Sequence, residues 1–81
     1  MSAIELYDRQ DCPYSRKVRD KLDAIGVDYE ETVVPDRHTD REELYERTGQ
    51  RGVPCLFDSE SSREFIADSD EIIEHLERTY A

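Results

Sequence analysis

The chain has 81 residues and a formal net charge of −10, with 21 Asp and Glu against 11 Lys and Arg. This length predicts a single domain over residues 1–81, and no apolar run is long enough for a membrane span or resembles a signal segment. Nucleic acid is a poor partner for so acidic a chain, because phosphates attract cations. Leu, Ile, Val and Phe supply only 17 residues, so we expect a small core and marginal stability.

The first half of the chain predicts a strand, a helix and a second strand. Residues 3–7 alternate between apolar and polar side chains, which is typical of a strand. Pro13 suits the first position of a helix and Gly26 suits its C-terminal cap. The apolar stripe between them predicts a helix over residues 13–25. A second strand is predicted over residues 28–34.

The second half predicts a helix, a hairpin and a final helix. Thr39 begins a capping box, so a short helix is expected over residues 40–48. Strands are predicted over residues 53–57 and 63–66, with a polar turn between them. Ser69 is the expected N-cap of the last helix. The order β-α-β-α-β-β-α predicts an α/β fold, with a four-stranded mixed sheet and helices on both of its faces.

Cys12 lies immediately before the first predicted helix. The free N–H groups and the dipole of a helix N-terminus favour a thiolate over a thiol. Residues 9–21 carry five basic and two acidic groups, whereas the rest of the chain is acidic. A reactive, activated thiol is therefore the preferred interpretation of Cys12, and an inert buried side chain is the alternative.

Three short motifs resemble those of the glutaredoxin family, which has the thioredoxin fold. Residues 12–15 read Cys-Pro-Tyr-Ser where the family has Cys-Pro-Tyr-Cys, and Arg9 stands at the basic position three residues before the first Cys. Residues 52–54, Gly-Val-Pro, are similar to its Thr-Val-Pro segment. Residues 67–70, Ala-Asp-Ser-Asp, stand at its Gly-Gly turn. The N-terminal domain of glutathione transferases is a close relative with an acid–Ser pair at the same turn.

The resemblance implies a cytosolic thiol–disulfide oxidoreductase of electron transport in which Cys12 is the nucleophile and Pro54 is cis. Because Ser15 replaces the second Cys, the enzyme would use a monothiol route. Glutathione or γ-glutamylcysteine would be the co-substrate, and glutathionylated proteins would be partners. The protein would be a monomer, and the exchange would need no metal or organic cofactor. The resemblance assigns thiol-peptide binding to Arg9, Tyr14, Gln50, Val53, Pro54, Ser69 and Asp70.

Alternative functions follow from the same resemblance. Some monothiol relatives hold an iron–sulfur cluster between two subunits, but those relatives have Gly-Phe where Pro13 and Tyr14 stand here. A thiol-peptide binding protein, or a thioredoxin-fold adaptor whose Cys12 is not turned over, is the other possibility. Activity on a glutathionylated substrate separates these functions.

Three residues outside the motifs, and the composition, give further predictions. Cys55 is expected to be a small buried side chain, with a role as a resolving thiol for Cys12 as the alternative. His38 and His75 are expected to face solvent. Nine Arg against two Lys in so acidic a chain resemble haloarchaeal proteins adapted to molar salt. An ordinary acidic cytosolic protein is the alternative.

Overall fold

The computed structural model describes residues 3–35, 37 and 40–80. Strands and helices alternate along these residues, and none of these helices is long and apolar enough to cross a bilayer. The elements in chain order are β1 (Ile4–Asp8), α1 (Pro13–Ile25), β2 (Glu30–Val33), α2 (Glu42–Thr48), β3 (Cys55–Asp58) and α3 (Ser69–Tyr80).

The sheet has the strand order β2-β1-β3, with β1 in the centre. β1 runs parallel to β2 and antiparallel to β3, and Tyr7 lies opposite Cys55. The parallel pair requires a crossover, which α1 supplies. The C-terminal end of β1 and the N-terminal end of β3 therefore lie at the same edge of the sheet. The loop to Cys12 leaves from that edge.

The two faces of the sheet carry separate hydrophobic clusters, because successive side chains on a strand point to opposite faces. Leu6 and Leu56 face α1 and α3 together with Val18, Leu22, Ile72 and Leu76. Tyr7, Cys55 and Phe57 face the other way and pack with Leu44 of α2 and with Val34. The apolar alternation in β1 and the apolar stripes on α1 and α3 thus have the packing partners that the sequence predicts.

The predicted fourth strand is wrong. Residues 63–66 do not form a strand; a single antiparallel bridge joins Leu56 and Ile66, with N–H to O distances of 2.8 and 2.9 Å. Side chains in the preceding turn accept the backbone donors instead. Asp58 Oδ1 accepts the N–H of Glu60 at 3.0 Å, and Ser61 Oγ accepts the N–H of Arg63, the first residue of the predicted strand, at 3.1 Å. Such local bonds compete with ladder formation, so the described sheet has three strands.

Helix ends differ from prediction mainly at their caps. Gly26 and Gly49 end α1 and α2 with φ of 82° and 76°, a conformation that favours glycine. The predicted cap Thr39 lies outside the described residues. At α3 the cap is Asp68 rather than Ser69, because the Asp68 carboxylate accepts the N–H of Glu71 at 3.0 Å.

His75 is buried, contrary to the prediction that it faces solvent. Its Nε2 lies 2.7 Å from Oδ2 of Asp58, and the Tyr80 hydroxyl donates to both oxygens of the same carboxylate at 2.9 Å. Because Asp58 is also buried, these contacts supply hydrogen bonds that a carboxylate in this place requires. The prediction for His38 lies outside the described residues.

Candidate functional site

The loop between β1 and α1 holds Cys12 at the N-cap position of α1. The Cys12 N–H donates to the Arg9 carbonyl at 3.1 Å, and the Cys12 carbonyl accepts the N–H of Arg16 at 3.0 Å. Pro13 follows at the first helical position, where the missing N–H has no intrahelical role. The thiol is partly exposed, so a substrate can reach it.

The pKa of the Cys12 thiol is lowered from its ordinary value of 9.0. Partial burial is the largest single effect and opposes ionisation. Hydrogen bonding with the backbone and hydroxyl of Ser15 and with the backbone of Tyr14, together with the charge of Arg9, outweighs the burial. These are the polar groups that a helix N-terminus offers to an anion. The site therefore favours the nucleophilic thiolate.

Ser15 occupies the place of a second thiol and is fully buried. Its Oγ accepts the N–H of Arg9 at 3.4 Å. The hydroxyl thus links the helix back to the loop that precedes Cys12. Serine cannot form a disulfide, so residues 12–15 contain one redox-active side chain.

Val53 and Pro54 lie directly before β3, at the same edge of the sheet as the Cys12 loop. The peptide bond between them is cis, as the resemblance implies. Pro54 is buried and Val53 is half-buried. The polar backbone of this segment thus lies at the end of the sheet that carries the thiol.

The Gln50 side chain lies over the turn that Gln50 begins. Its Oε1 accepts the N–H of Gly52, and a Cβ at position 52 would come within 2.9 Å of that oxygen. Glycine in place of the family's threonine therefore lets the Gln50 side chain lie here. Gln50 Nε2 is buried without a hydrogen-bond partner. The predicted contact of Gln50 with a ligand stays a prediction.

The N-terminus of α3 approaches α1 near the thiol. Lys17 Nζ lies 3.1 Å from Oδ1 of Asp70, whose side chain is largely exposed, while Ser69 is buried. Asp68 takes the Glu71 N–H as the helix cap. An ammonium group that binds Asp70 would therefore share the carboxylate with Lys17. Tyr14 is 61 % exposed and lies beside Cys12 in the chain.

The local positive charge around Cys12 is largely compensated by tertiary contacts. Arg16, Lys17, Arg19 and Lys21 each have an acidic partner within 4 Å, and two of those partners are on α3. The pairs are Arg16 with Asp20, Lys17 with Asp70, Arg19 with Asp8, and Lys21 with Glu77. The chain segment is therefore less positive than its composition indicates, and Arg9 is the cation that lowers the pKa of Cys12.

Two arginines near the site, Arg41 and Arg19, escaped sequence reasoning. Arg41 is 3 % exposed and donates to the carbonyls of Pro35 and Arg51 at 2.7 and 2.8 Å, so it supports the segment that leads to Val53. Arg19 pairs with the fully buried Asp8. An Asp that ends an apolar strand was the available signal for the second pair; no local pattern marked Arg41.

Cys55 has the opposite environment to Cys12. It is fully buried between apolar side chains, and burial raises the pKa of its thiol to about 12. Both cysteines are free thiols. The packing agrees with the predicted role of Cys55 as a small core side chain.

Within the described part of the chain, no three His, Cys, Asp or Glu side chains are grouped to hold a metal ion. A cavity of about 370 Å³ lies beside α3, and its lining includes Ser61, Arg63 and His75 but no predicted site residue. The candidate site is therefore the open surface around Cys12 rather than this cavity.

A βαβ unit that presents an activated Cys at a helix N-terminus, beside a cis-proline, defines a thiol oxidoreductase of the thioredoxin fold. The glutaredoxin family model matches residues 4–61. Glutaredoxin 3 of Escherichia coli K12 is 32 % identical over 57 residues, which are 70 % of this chain and 69 % of that protein. The chain belongs to the glutaredoxin family and is a glutaredoxin-like thiol–disulfide oxidoreductase.

Solved structures of glutathione transferases share the fold. A homologue from Drosophila mojavensis with bound glutathione has a TM-score of 0.83 and 29 % identity, over 99 % of this chain and 36 % of that one. Isozyme E7 from Drosophila melanogaster has a TM-score of 0.81 and 32 % identity, over 96 % of this chain and 35 % of that one. The chain thus spans about a third of these transferases.

Proposed function

We propose that the protein reduces mixed disulfides between proteins and a γ-glutamyl thiol, glutathione or a close analogue, by a monothiol route. The observation that carries this proposal is the pairing of an activated Cys12 with a buried Ser15 at the place of the second thiol. Without a resolving thiol in residues 12–15, the bond formed at Cys12 must be broken by a second small thiol.

The reaction consists of two exchanges. The Cys12 thiolate attacks the glutathione sulfur of the mixed disulfide, and the protein sulfur leaves as a thiolate that takes a proton. A second glutathione thiolate then attacks the glutathione sulfur on Cys12. Oxidised glutathione leaves, and Cys12 returns to the thiolate that its surroundings favour. In sum, the mixed disulfide and one molecule of glutathione become the protein thiol and one molecule of glutathione disulfide, and the enzyme is unchanged.

We propose that the small thiol binds between the Val53–Pro54 segment and the N-terminus of α3. Val53 would pair with the cysteinyl backbone of the ligand, and the first N–H groups of α3, with Ser69, would receive the γ-glutamyl carboxylate. The similar Drosophila mojavensis structure holds bound glutathione, which supports glutathione as the class of ligand. Arg9 and Gln50 would lie near the glycyl carboxylate, with Tyr14 along the groove.

The acidic groups at α3 bear on which thiol binds. Asp70 would accept the γ-glutamyl ammonium, in competition with Lys17 at 3.1 Å. The Asp68 carboxylate brings a further negative charge, and its Oδ1 accepts the Glu71 N–H at the N-terminus of α3. These groups face the γ-glutamyl end, which glutathione and γ-glutamylcysteine share, so we propose γ-glutamylcysteine as a candidate beside glutathione.

A thiol-transfer assay on a glutathionylated peptide tests the reaction. Wild type is expected to release the peptide thiol with saturation in glutathione, and Cys12→Ser is expected to be inactive. Cys55→Ala is the matched control, since it removes the other thiol, and is expected to keep the activity. An active Cys12→Ser variant would disprove the proposal. Ser15→Cys is expected to add activity on protein disulfides, which the wild type should lack.

A comparison of small thiols tests the binding mode. Glutathione and γ-glutamylcysteine should both support turnover, whereas cysteinylglycine, which lacks the γ-glutamyl group, should fail to saturate. Arg9→Gln should raise the KM for glutathione more than that for γ-glutamylcysteine, because only glutathione has the glycyl carboxylate. Equal effects on both thiols would place Arg9 elsewhere.

We also propose that the protein acts in a reducing cytosol of high salt content. The presence of only two cysteines in the sequence, without the spacing of a disulfide framework, and the charge of −10 support this environment. Salt screens repulsion among the acidic groups, because the Debye length falls from about 10 Å at 0.1 M to about 3 Å at 1 M. The melting temperature should therefore rise between about 0.1 and 2 M KCl. A melting temperature that falls or stays constant would exclude the salt-adapted interpretation.

A further inference from the structure

We propose that Arg19 is a positioning residue that holds the Arg9–Cys12 loop in its reactive conformation. Arg19 lies on α1, seven residues after Cys12, and does not itself belong to the thiol motif. Its guanidinium reaches back along the helix to the end of β1. The inference rests on the proposed function for its meaning in catalysis, but its geometry is independent of the substrate.

Arg19 makes three hydrogen bonds at the start of the loop. Nη1 donates to Oδ2 of Asp8 at 2.5 Å and to the carbonyl of Arg9 at 3.4 Å, while Nη2 donates to the carbonyl of Gln10 at 3.2 Å. A planar guanidinium can donate in several fixed directions at once, which a lysine ammonium on its flexible stem does less well. One side chain thus contacts three successive residues.

The charge partner of Arg19 is fully buried. The Asp8 side chain is 0 % exposed and that of Arg19 is 16 % exposed. A buried carboxylate needs a partner, because desolvation otherwise makes its charged form costly. Glu31 from β2 is the other charged group that faces this pair, and its hydrogen bond with Asp8 raises the pKa of Glu31. The buried Asp8 carboxylate therefore holds the Arg19 guanidinium in place, because the carboxylate has no access to solvent.

Arg9 connects the Arg19 guanidinium to the surroundings of Cys12. The carbonyl of Arg9 accepts both the Arg19 guanidinium and the N–H of Cys12, and the N–H of Arg9 donates to Ser15 Oγ. Movement of Arg9 would thus disturb the two groups, Arg9 and Ser15, that favour the Cys12 thiolate. The Arg19 guanidinium bonds to Asp8 and to the carbonyls of Arg9 and Gln10, so its effect on Cys12 passes through the backbone of the loop.

The test compares two charge-neutral double variants. Asp8→Asn with Arg19→Gln removes the buried pair, and Arg16→Gln with Asp20→Asn removes the exposed pair on the same helix. Both leave the net charge unchanged. Cys12 alkylation by iodoacetamide is measured against pH in each. The buried-pair variant is expected to move the midpoint upward and to slow alkylation at pH 7 by about three- to tenfold; the exposed-pair variant should change the rate by less than about twofold.

A folded buried-pair variant with the wild-type midpoint would overturn the proposal. So would equal shifts in the two double variants. If the buried-pair variant does not fold by circular dichroism, Arg19→Lys decides, because it keeps the charge pair but not the forked donors. It is expected to move the midpoint in the same direction, and an unchanged midpoint in folded Arg19→Lys would overturn the proposal.

Alkylation does not require a γ-glutamyl substrate, so the two proposals fail separately. A wild type that transfers no small thiol, but whose Cys12 midpoint depends on Arg19, would disprove the proposed function and leave the positioning role intact. Thiol transfer by a protein whose Cys12 midpoint is independent of Arg19 would support the proposed function and disprove the positioning role.

Discussion

The two cysteines of this chain have opposite chemistry although each is a free thiol near the same edge of the sheet. The pKa of Cys12 is lowered, whereas that of Cys55 is raised to about 12. Burial disfavours the thiolate at both positions. At Cys12 the donors of the helix N-terminus and the charge of Arg9 outweigh it; at Cys55 apolar neighbours offer no such compensation. Reactivity therefore depends on hydrogen-bond donors around the sulfur rather than on the presence of a thiol.

The largest expected difference between the two is their rate of alkylation. At pH 7 a thiol with a pKa of about 12 is ionised in about one molecule in 10⁵. We expect iodoacetamide to modify native Cys12 at least ~10³ times faster than Cys55. Mass spectrometry of tryptic peptides over a time course measures both rates in one sample. Comparable labelling of Cys55 in the native state would contradict the comparison, and labelling in urea is the control that both sites can react.

We expect substitution of Cys55 to lower the free energy of unfolding more than substitution of Cys12. Cys55→Ser places a hydroxyl among apolar side chains and is expected to lower the free energy of unfolding by about 1–3 kcal/mol. Cys12→Ser, at a partly exposed helix cap, should change it by less than about 0.5 kcal/mol. Urea unfolding followed by circular dichroism measures both. Cys55→Ala separates loss of packing from burial of a polar group, and a Cys55→Ser variant as stable as Cys55→Ala would contradict the reasoning.

Ser15 is expected to tune the reactive thiol. Ser15→Ala removes a hydroxyl that lowers the pKa of Cys12 and that accepts the Arg9 N–H. The alkylation midpoint should rise, and the rate at pH 7 should fall about two- to fivefold. Ser62→Ala, in an exposed turn, is the matched control. A midpoint that does not move would show that the backbone donors of α1 act alone.

The smallest expected effect concerns the acidic pair beside the Cys12 loop. The hydrogen bond with Asp8, followed by burial, raises the pKa of Glu31, so the folded state binds a proton there more tightly than the unfolded chain. That contribution to stability is present below the pKa of the unfolded chain and is lost as pH rises through the folded value.

Glu31→Gln should therefore stabilise the protein at pH 7. We expect a gain of about 0.5 kcal/mol, small because the exposed side chain is screened by solvent. The difference should vanish near pH 4, and thermal unfolding at both values measures it. Glu30→Gln, on the same strand, controls for the change in net charge, and an equal gain in both variants would assign the effect to net charge alone.

Local features of this fold could be predicted because they depend on neighbours in the chain. The alternation in β1 and the stripe of Val18 and Leu22 on α1 follow from the periods of a strand and a helix. Gly26 and Pro13 mark the ends of α1 through their own backbone preferences. The position of Cys12 at a helix N-terminus, and hence its lowered pKa, follows from the same local reasoning.

The predictions were wrong where contacts outside the predicted element determine its structure. The hairpin pattern predicted a strand at residues 63–66, but turn side chains take its backbone donors and leave one bridge at Ile66. His75 has a polar, solvent-type setting in sequence, yet it packs against Asp58 from β3. Ser69 fits a helix cap in the sequence, but the Asp68 carboxylate accepts the Glu71 N–H and caps α3.

The sequence by itself predicted the family, Cys12 as the candidate nucleophile and Ser15 at the place of a second thiol, because these depend on residue identity at short spacing. Only the tertiary structure showed that most cations near Cys12 are paired, that Lys17 contacts Asp70, and that Arg19 meets a buried Asp8. Charge along a chain reports composition, whereas the field at a thiol depends on which groups folding brings within a few ångströms. The net charge of −10 therefore describes the surface as a whole, and the contacts around residues 8–19 describe the site.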